Sequence, residues 1–137
     1  MTALPLARLT ATRDGGRLLR FALRLDAAGS GALGLIGVAA ATPLAGLLGA
    51  SAAGILGTGV FLLVFATALL LLAARPTIPR AAAWTVIAGN VAWVLSSIGA
   101  AVAGPDWTAL GVGVVLAQAG AVAVFAELEW LGLRRAR

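Results

Sequence analysis

Residues 27–74 read AAGSGALGLIGVAAATPLAGLLGASAAGILGTGVFLLVFATALLLLAA, a run without a single charged side chain. As one straight helix it would extend about 70 Å, more than twice the roughly 30 Å hydrocarbon core of a bilayer. The chain must therefore reverse within it, so one charge-free run supplies two membrane spans. Thr42-Pro43 and the series Gly46, Gly49, Ser51 and Gly54 place turn-forming residues at its middle. The first span is expected at about 21–41 and the second at about 55–74. Leu44, Leu47 and Leu48 form a short interfacial helical turn between them, and Arg75-Pro76 stops the second span.

On the C-terminal side, Pro79-Arg80 opens a third span at about 81–103. Gly104-Pro105-Asp106 closes it with a tight turn, and Pro105 suits the first helical position of a fourth span at about 107–133. On the N-terminal side, residues 1–16 form a polar tail that lacks the apolar core and small-residue cleavage site of a secretory signal. Asp14 is a plausible N-cap for a helix starting near Arg17. Residues 17–137 are thus expected to be all-α, a four-transmembrane-helix bundle built from two consecutive helical hairpins.

Arginine fixes the orientation. All ten basic residues are arginines, clustered at 8–24, at 75 and 80, and at 134–137. Basic residues are retained on the cytoplasmic side, which predicts a multi-pass protein of the cell's inner (plasma) membrane with both termini and the middle loop cytoplasmic. Trp84 and Trp130 then fall near the inner interface and Trp107 near the outer one, where amphipathic rings settle. Only Trp93 lies far from either.

Composition agrees with this class. Apolar residues make up 61% of the chain and charged ones 11%, against roughly 45–50% and about 25% in soluble domains. The net charge of +5 sits on arginines that flank apolar spans, so it points to anionic lipid headgroups rather than nucleic acid. Arg17, Arg20, Arg24, Arg75, Arg80, Arg134 and Arg135 are the candidate headgroup contacts, with stems that snorkel to the interface.

Cysteine, histidine and tyrosine are all absent. That removes disulfides, thiol chemistry, zinc sites with N or S ligands and ordinary haem ligation. It also removes the commonest acid–base catalysts. No catalytic residue, metal or cofactor is expected, and the chain does not read as an enzyme.

The remaining candidates are intramembrane polar groups. Asp26 lies inside the first span, where a charged side chain costs roughly 2.5–3.5 kcal/mol on insertion scales. Two readings apply: a proton or cation site opening on Ser30, or an ion pair with Arg75, Arg80 or an arginine of the first helix. Asn90, Trp93 and Ser97 share one face of the third span at i, i+3 and i+7, with Gln118 at similar depth in the fourth and Thr67 in the second. Such amides act either as interhelical hydrogen-bonding glue or as the wall of a small pocket beside Trp93. Glu127 and Glu129 lie near the terminal arginines and read as surface salt-bridging groups, since i and i+2 positions do not share a helix face. Ser96, Ala100 and Gly104, and Ala109, Gly113, Ala117 and Ala121, form small-residue ridges expected to serve mainly internal packing.

Leu23-Arg24-Leu25-Asp26 with its Gly/Ser-rich continuation, and Gly89-Asn90-Val91-Ala92-Trp93 through Ser96-Ser97, carry a resemblance. The chain resembles small uncharacterised four-span integral membrane proteins of high-GC Gram-positive bacteria. The resemblance implies a compact membrane bundle and brings no catalytic residues with it. The mid-membrane glutamate of small multidrug transporters has no counterpart in the first span, which offers Asp26 near its inner end.

The sequence favours a membrane accessory or scaffold that acts through helix–helix or lipid contacts, with a homo-oligomer or a membrane-protein partner. The alternative is a homo-oligomeric transporter or channel for a small solute or ion, using the intramembrane aspartate.

Overall fold

The computed structural model describes residues 14–104 and 106–136. Residues 1–13, which hold most of the expected polar tail with Arg8 and Arg13, lie outside the described residues, as do Pro105 and Arg137. The described chain forms five α-helices: α1 (Arg17–Ala39), α2 (Ala41–Leu48), α3 (Ala52–Ala73), α4 (Arg80–Ala103) and α5 (Ala109–Arg135). All but α2 are long and apolar enough to cross a membrane. This is a multi-pass helical membrane protein. Large apolar side chains such as Leu35, Val64, Leu71, Leu95 and Val102 point outward, as a lipid-facing belt requires.

The reversal in the charge-free run is built as a short helix between two caps. Pro43 falls in the first turn of α2, where a missing N–H leaves no bond unmade. Gly49 ends α2 in the left-handed conformation (φ 75°), and a side chain there would collide with the backbone of Asp106. Ser51 then accepts from the Gly54 amide at 3.0 Å, so α3 starts three residues earlier than the expected Ile55. The fourth span also differs from expectation. It begins at Ala109, after Thr108 as N-cap, rather than at the Gly104-Pro105-Asp106 turn.

Thr108 secures two elements at once. Its Oγ1 accepts from the Gly111 amide at 3.0 Å and donates to the Leu47 carbonyl at 2.7 Å. Thr108→Val should lower stability by about 1 kcal/mol, read as a shift in the thermal midpoint of circular dichroism in detergent.

Helix α1 is central: it packs on both α3 and α5, while α4 packs on α5. The α1–α3 crossing is a backbone-to-backbone approach, since a Cβ on Gly34 would lie 2.9 Å from the Gly59 carbonyl oxygen. The α1–α5 approach is tighter still at Gly132, whose Cβ would lie 2.5 Å from the backbone of Leu19. The small-residue ridges behave otherwise. Ser96, Ala100, Ala109, Gly113, Ala117 and Ala121 are exposed on the outside of α4 and α5 and do not mediate internal packing, whereas Gly104, at the end of the first ridge, is half-buried against the Trp107 indole. The close approaches fall instead on glycines of α1 and α3 and at both ends of α5, Gly111 against the Leu48 carbonyl and Gly132 against Leu19.

The two ends of the bundle are distinct. At one end Asp14 meets Arg135, with its amide donating to the Arg135 carbonyl at 3.1 Å and its carboxylate 3.5 Å from the Arg135 Nε. Arg20 reaches the 75–79 connection at this same end. At the other end lie α2, Trp107 and Thr108.

Candidate functional site: a buried acid pair bridged by an amide

The polar residues singled out from the sequence form two hydrogen-bonded groups between the helices. In the first, Asp26 lies on α1, about 14 Å along the helix from Arg17, and is 0% exposed. Ser30, one turn further on, donates its hydroxyl to Asp26 Oδ1 at 2.9 Å. Asn90 of α4 donates from the same Nδ2 to Asp26 Oδ2 at 2.8 Å and to Glu129 Oε2 of α5 at 3.0 Å. A single amide thereby ties three helices together.

Glu129 corrects the sequence reading. It is not a surface group but 0% exposed, and its second oxygen, Oε1, accepts no hydrogen bond. The cause is geometric. Helix α5 continues to Arg135, nearly two turns beyond Glu129, and Ala126, Glu129 and Leu133 follow the 3–4 spacing of an inward stripe. Glu127, two residues earlier, is exposed on the opposite side.

The expected arginine partner of Asp26 is also replaced. Arg20 turns its guanidinium onto the carbonyl oxygens of Ala73, Arg75 (2.8 Å) and Pro76 (3.4 Å), at the end of α3. Arg80 donates to the Leu133 carbonyl at 3.4 Å, near the end of α5. Cations are favoured at those positions because helix C-termini expose unpaired carbonyls. Among the described residues no arginine lies within ion-pair distance of Asp26 or Glu129. Arg17, Arg24, Arg75 and Arg134 are exposed, the last with its guanidinium 4.8 Å above the Trp130 ring.

The second group lies two turns along α4. Trp93 Nε1 donates to Gln118 Oε1 at 2.7 Å, and Gln118 Nε2 donates to Ser97 Oγ at 2.9 Å and to the Val115 carbonyl at 2.7 Å. Asn90, Trp93, Ser97 and Gln118 thus share a region, as their spacing implied, but Gln118 joins Trp93 and Ser97 while Asn90 faces the acids. Thr67 joins neither group. It is exposed and bonds the Leu63 carbonyl of its own helix at 2.9 Å.

The surroundings of the acid pair are lopsided. Towards the arginine-bearing end, Leu19, Leu23, Leu69 and Leu133 form a layer of fully buried side chains, backed by Ala83 and Ile87. Outside that layer a cleft of about 500 Å³ opens at the arginine-bearing end beside Arg20, Ile78 and Arg80, and smaller spaces lie on the other side of the acid pair. A cavity of about 70 Å³ is lined by Ser30, Phe61, Phe65, Asn90, Trp93 and Val122, among others. Beyond Trp93 a groove of about 280 Å³ runs past Leu33, Thr58, Ser97, Gln118 and Trp107. Helices α3 and α4 meet here through rings: Phe61 stacks on Trp93 (centroids 5.8 Å apart, planes within 5°) and on Phe65 (6.2 Å, 5°).

Two carboxyl groups bridged by one neutral amide in an apolar interior require a balancing positive charge. No cationic side chain among the described residues lies within ion-pair distance, so the arrangement suits a proton or a bound cation. Among the described residues no third His, Cys, Asp or Glu completes a metal-ligand cluster with them. The arrangement provides charge and acceptor oxygens but no activated nucleophile.

Comparison with protein-family models, with curated proteins and with solved structures gives no match. The class of the chain rests on its own geometry: a four-span helical membrane protein with an acidic centre buried among α1, α4 and α5.

Proposed function

We propose that this chain is a membrane-embedded cation-handling protein, a subunit of a small transporter or channel. In this reading Asp26 and Glu129 hold an exchangeable proton or monovalent cation, and Asn90 sets their spacing. One observation carries it: two fully buried carboxyl groups share a single amide donor, and no arginine of the described residues lies within ion-pair distance of them. Intramembrane acids of this kind are the usual mark of ion pathways and proton relays. The arginine-bearing end is assigned to the cytoplasm by the distribution of basic residues. The apolar layer then separates the site from the cytoplasmic cleft, and the Trp93 cavity lies on its outer side. Because four short spans do not enclose a pore alone, the working unit is a homo-oligomer.

Proteoliposomes carrying a pH-sensitive dye and an imposed potassium diffusion potential test the reading. The full-length protein should conduct protons or sodium above the level of empty vesicles, and the isosteric variants Asp26→Asn and Glu129→Gln should each abolish that flux. Wild-type-like flux in both variants would overturn the proposal.

One observation favours a second reading, that of a membrane accessory protein. The small residues Ala109, Gly113, Ala117 and Ala121 face outward from α5 with no internal neighbour to pack against, which suits contact with another membrane helix. In that case Gly113→Leu disrupts function and Asp26→Asn spares it.

A further inference from the structure

The walls of the α3–α4 cleft specify what it accepts. Each side-chain donor that lines the cavity is already committed. Both hydrogens of Asn90 Nδ2 go to the acids, the Ser30 hydroxyl goes to Asp26, and Trp93 Nε1 goes to Gln118. Gln118 Nε2 spends its two hydrogens on Ser97 and Val115. What remains is acceptor capacity: Asn90 Oδ1 and the lone pairs of Ser30 at the cavity wall, with the carboxylates one hydrogen bond behind them. Glu129 Oε1 is fully buried and accepts nothing. A carboxylate or a phosphate would find no uncommitted donor on the cavity wall and would face two acids. A donor-bearing cation meets every condition.

The apolar part of such a ligand is specified as well. Phe61, Phe65 and Trp93 present parallel ring faces at the cavity, and Phe61 is 54% exposed on the outer surface of the bundle, which opens the cleft sideways. Aromatic faces attract an ammonium group, most strongly away from water. The 70 Å³ cavity is large enough for an ammonium head, and the groove beyond Trp93 is large enough for a short apolar body.

We propose that the cleft between α3 and α4 is a binding site for a protonated primary amine with an apolar tail. The ammonium contacts Ser30 and Asn90 in front of Asp26 and Glu129, and the tail lies along Phe61 and Trp93. This inference rests on the cation-handling reading and names its organic cargo.

The test is isothermal titration calorimetry of the full-length protein in detergent micelles with 2-phenylethylammonium, with empty-micelle heats subtracted. Two probes of the same body serve as controls: neutral 2-phenylethanol and anionic phenylacetate. Saturable binding of the ammonium alone is expected. Glu129→Gln should weaken it by about tenfold or more, and Phe61→Leu by roughly three- to tenfold. Phe61 is more than half exposed and makes no hydrogen bond with the acid pair, so its variant leaves that buried network intact and remains informative even if a variant of the buried acids fails to assemble. Equal binding of the alcohol, no saturable binding of the amine, or undiminished amine binding in Phe61→Leu would each overturn the proposal. Proton or sodium flux measured on the same preparation separates the two levels. An acid-dependent flux without amine binding removes the amine site and leaves the cation-handling reading intact.

Discussion

Asn90→Leu should destabilise the bundle by about 3 kcal/mol, the largest effect expected from any single side chain here. The amide gives two charge-assisted hydrogen bonds from one nitrogen, to Asp26 at 2.8 Å and to Glu129 at 3.0 Å. Removing it leaves two buried carboxyl groups facing each other with Ser30 as the remaining donor, and Ser30 reaches only Asp26. The loss therefore exceeds that of an ordinary interhelical hydrogen bond in a membrane, about 0.6 kcal/mol. Denaturation by sodium dodecyl sulfate, followed by circular dichroism, measures it. The origin of the loss is testable too. Combining Asn90→Leu with Asp26→Leu and Glu129→Met should restore most of the stability, because apolar replacement of a whole buried charged group is tolerated where loss of one member is not. A single variant as stable as the wild type would show that the amide does not hold the three helices together.

Gly132→Ala is the second large effect, with an expected loss of about 1–3 kcal/mol. The added methyl would lie 2.5 Å from both the Cα and the N of Leu19, which is backbone on a fully buried turn of α1. No rotamer relieves that contact, so α1 and α5 must separate just where the apolar layer closes the arginine-bearing end. Gly113→Ala provides the comparison within the same helix. Nothing lies within 4 Å of its new methyl, and it should be neutral or stabilising by up to about 1 kcal/mol through helix propensity. Opposite signs for the two alanines, read in the same unfolding assay, are the expected result. Equal effects would mean that α5 does not pack against α1 at Gly132.

Most of the architecture was legible in the sequence because it follows from one-dimensional quantities: the length of charge-free runs and the positions of prolines. The helix ends moved by a few residues where caps intervened, as at Ser51 and Thr108, and a hydroxyl at a loop position announces its partner only weakly. Within the site, Asp26 and Asn90 stood out because a charged or amide side chain is conspicuous in an apolar run. Glu129 did not stand out. Nearby arginines supplied a ready surface explanation, and its inward direction depends on where α5 ends. The signal available was its spacing from Ala126 and Leu133. The division of Asn90 and Gln118 into separate groups was not legible at all, because it depends on the rotation of α5 relative to α4. The glycine approaches were hidden for a similar reason. Small-residue repeats occur on several faces, and sequence alone does not tell which face meets another helix.

The partners of Asp26 carry a consequence for how the protein is made. Helix α1 emerges from the ribosome first and is the least apolar of the four spans, while α3 is the most apolar. Asn90 and Glu129, which receive the Asp26 carboxyl group in the finished protein, are translated 64 and 103 residues later (90 − 26 and 129 − 26). Until then the Asp26 carboxyl group has only Ser30 of its own helix as a hydrogen-bond donor, and the early companion of α1 is α3, docked through Gly34 and Gly59. The α1–α3 pair is therefore the first that translation makes available, and the hydrogen bonds that Asn90 makes to Asp26 and Glu129 form only when α4 and α5 arrive.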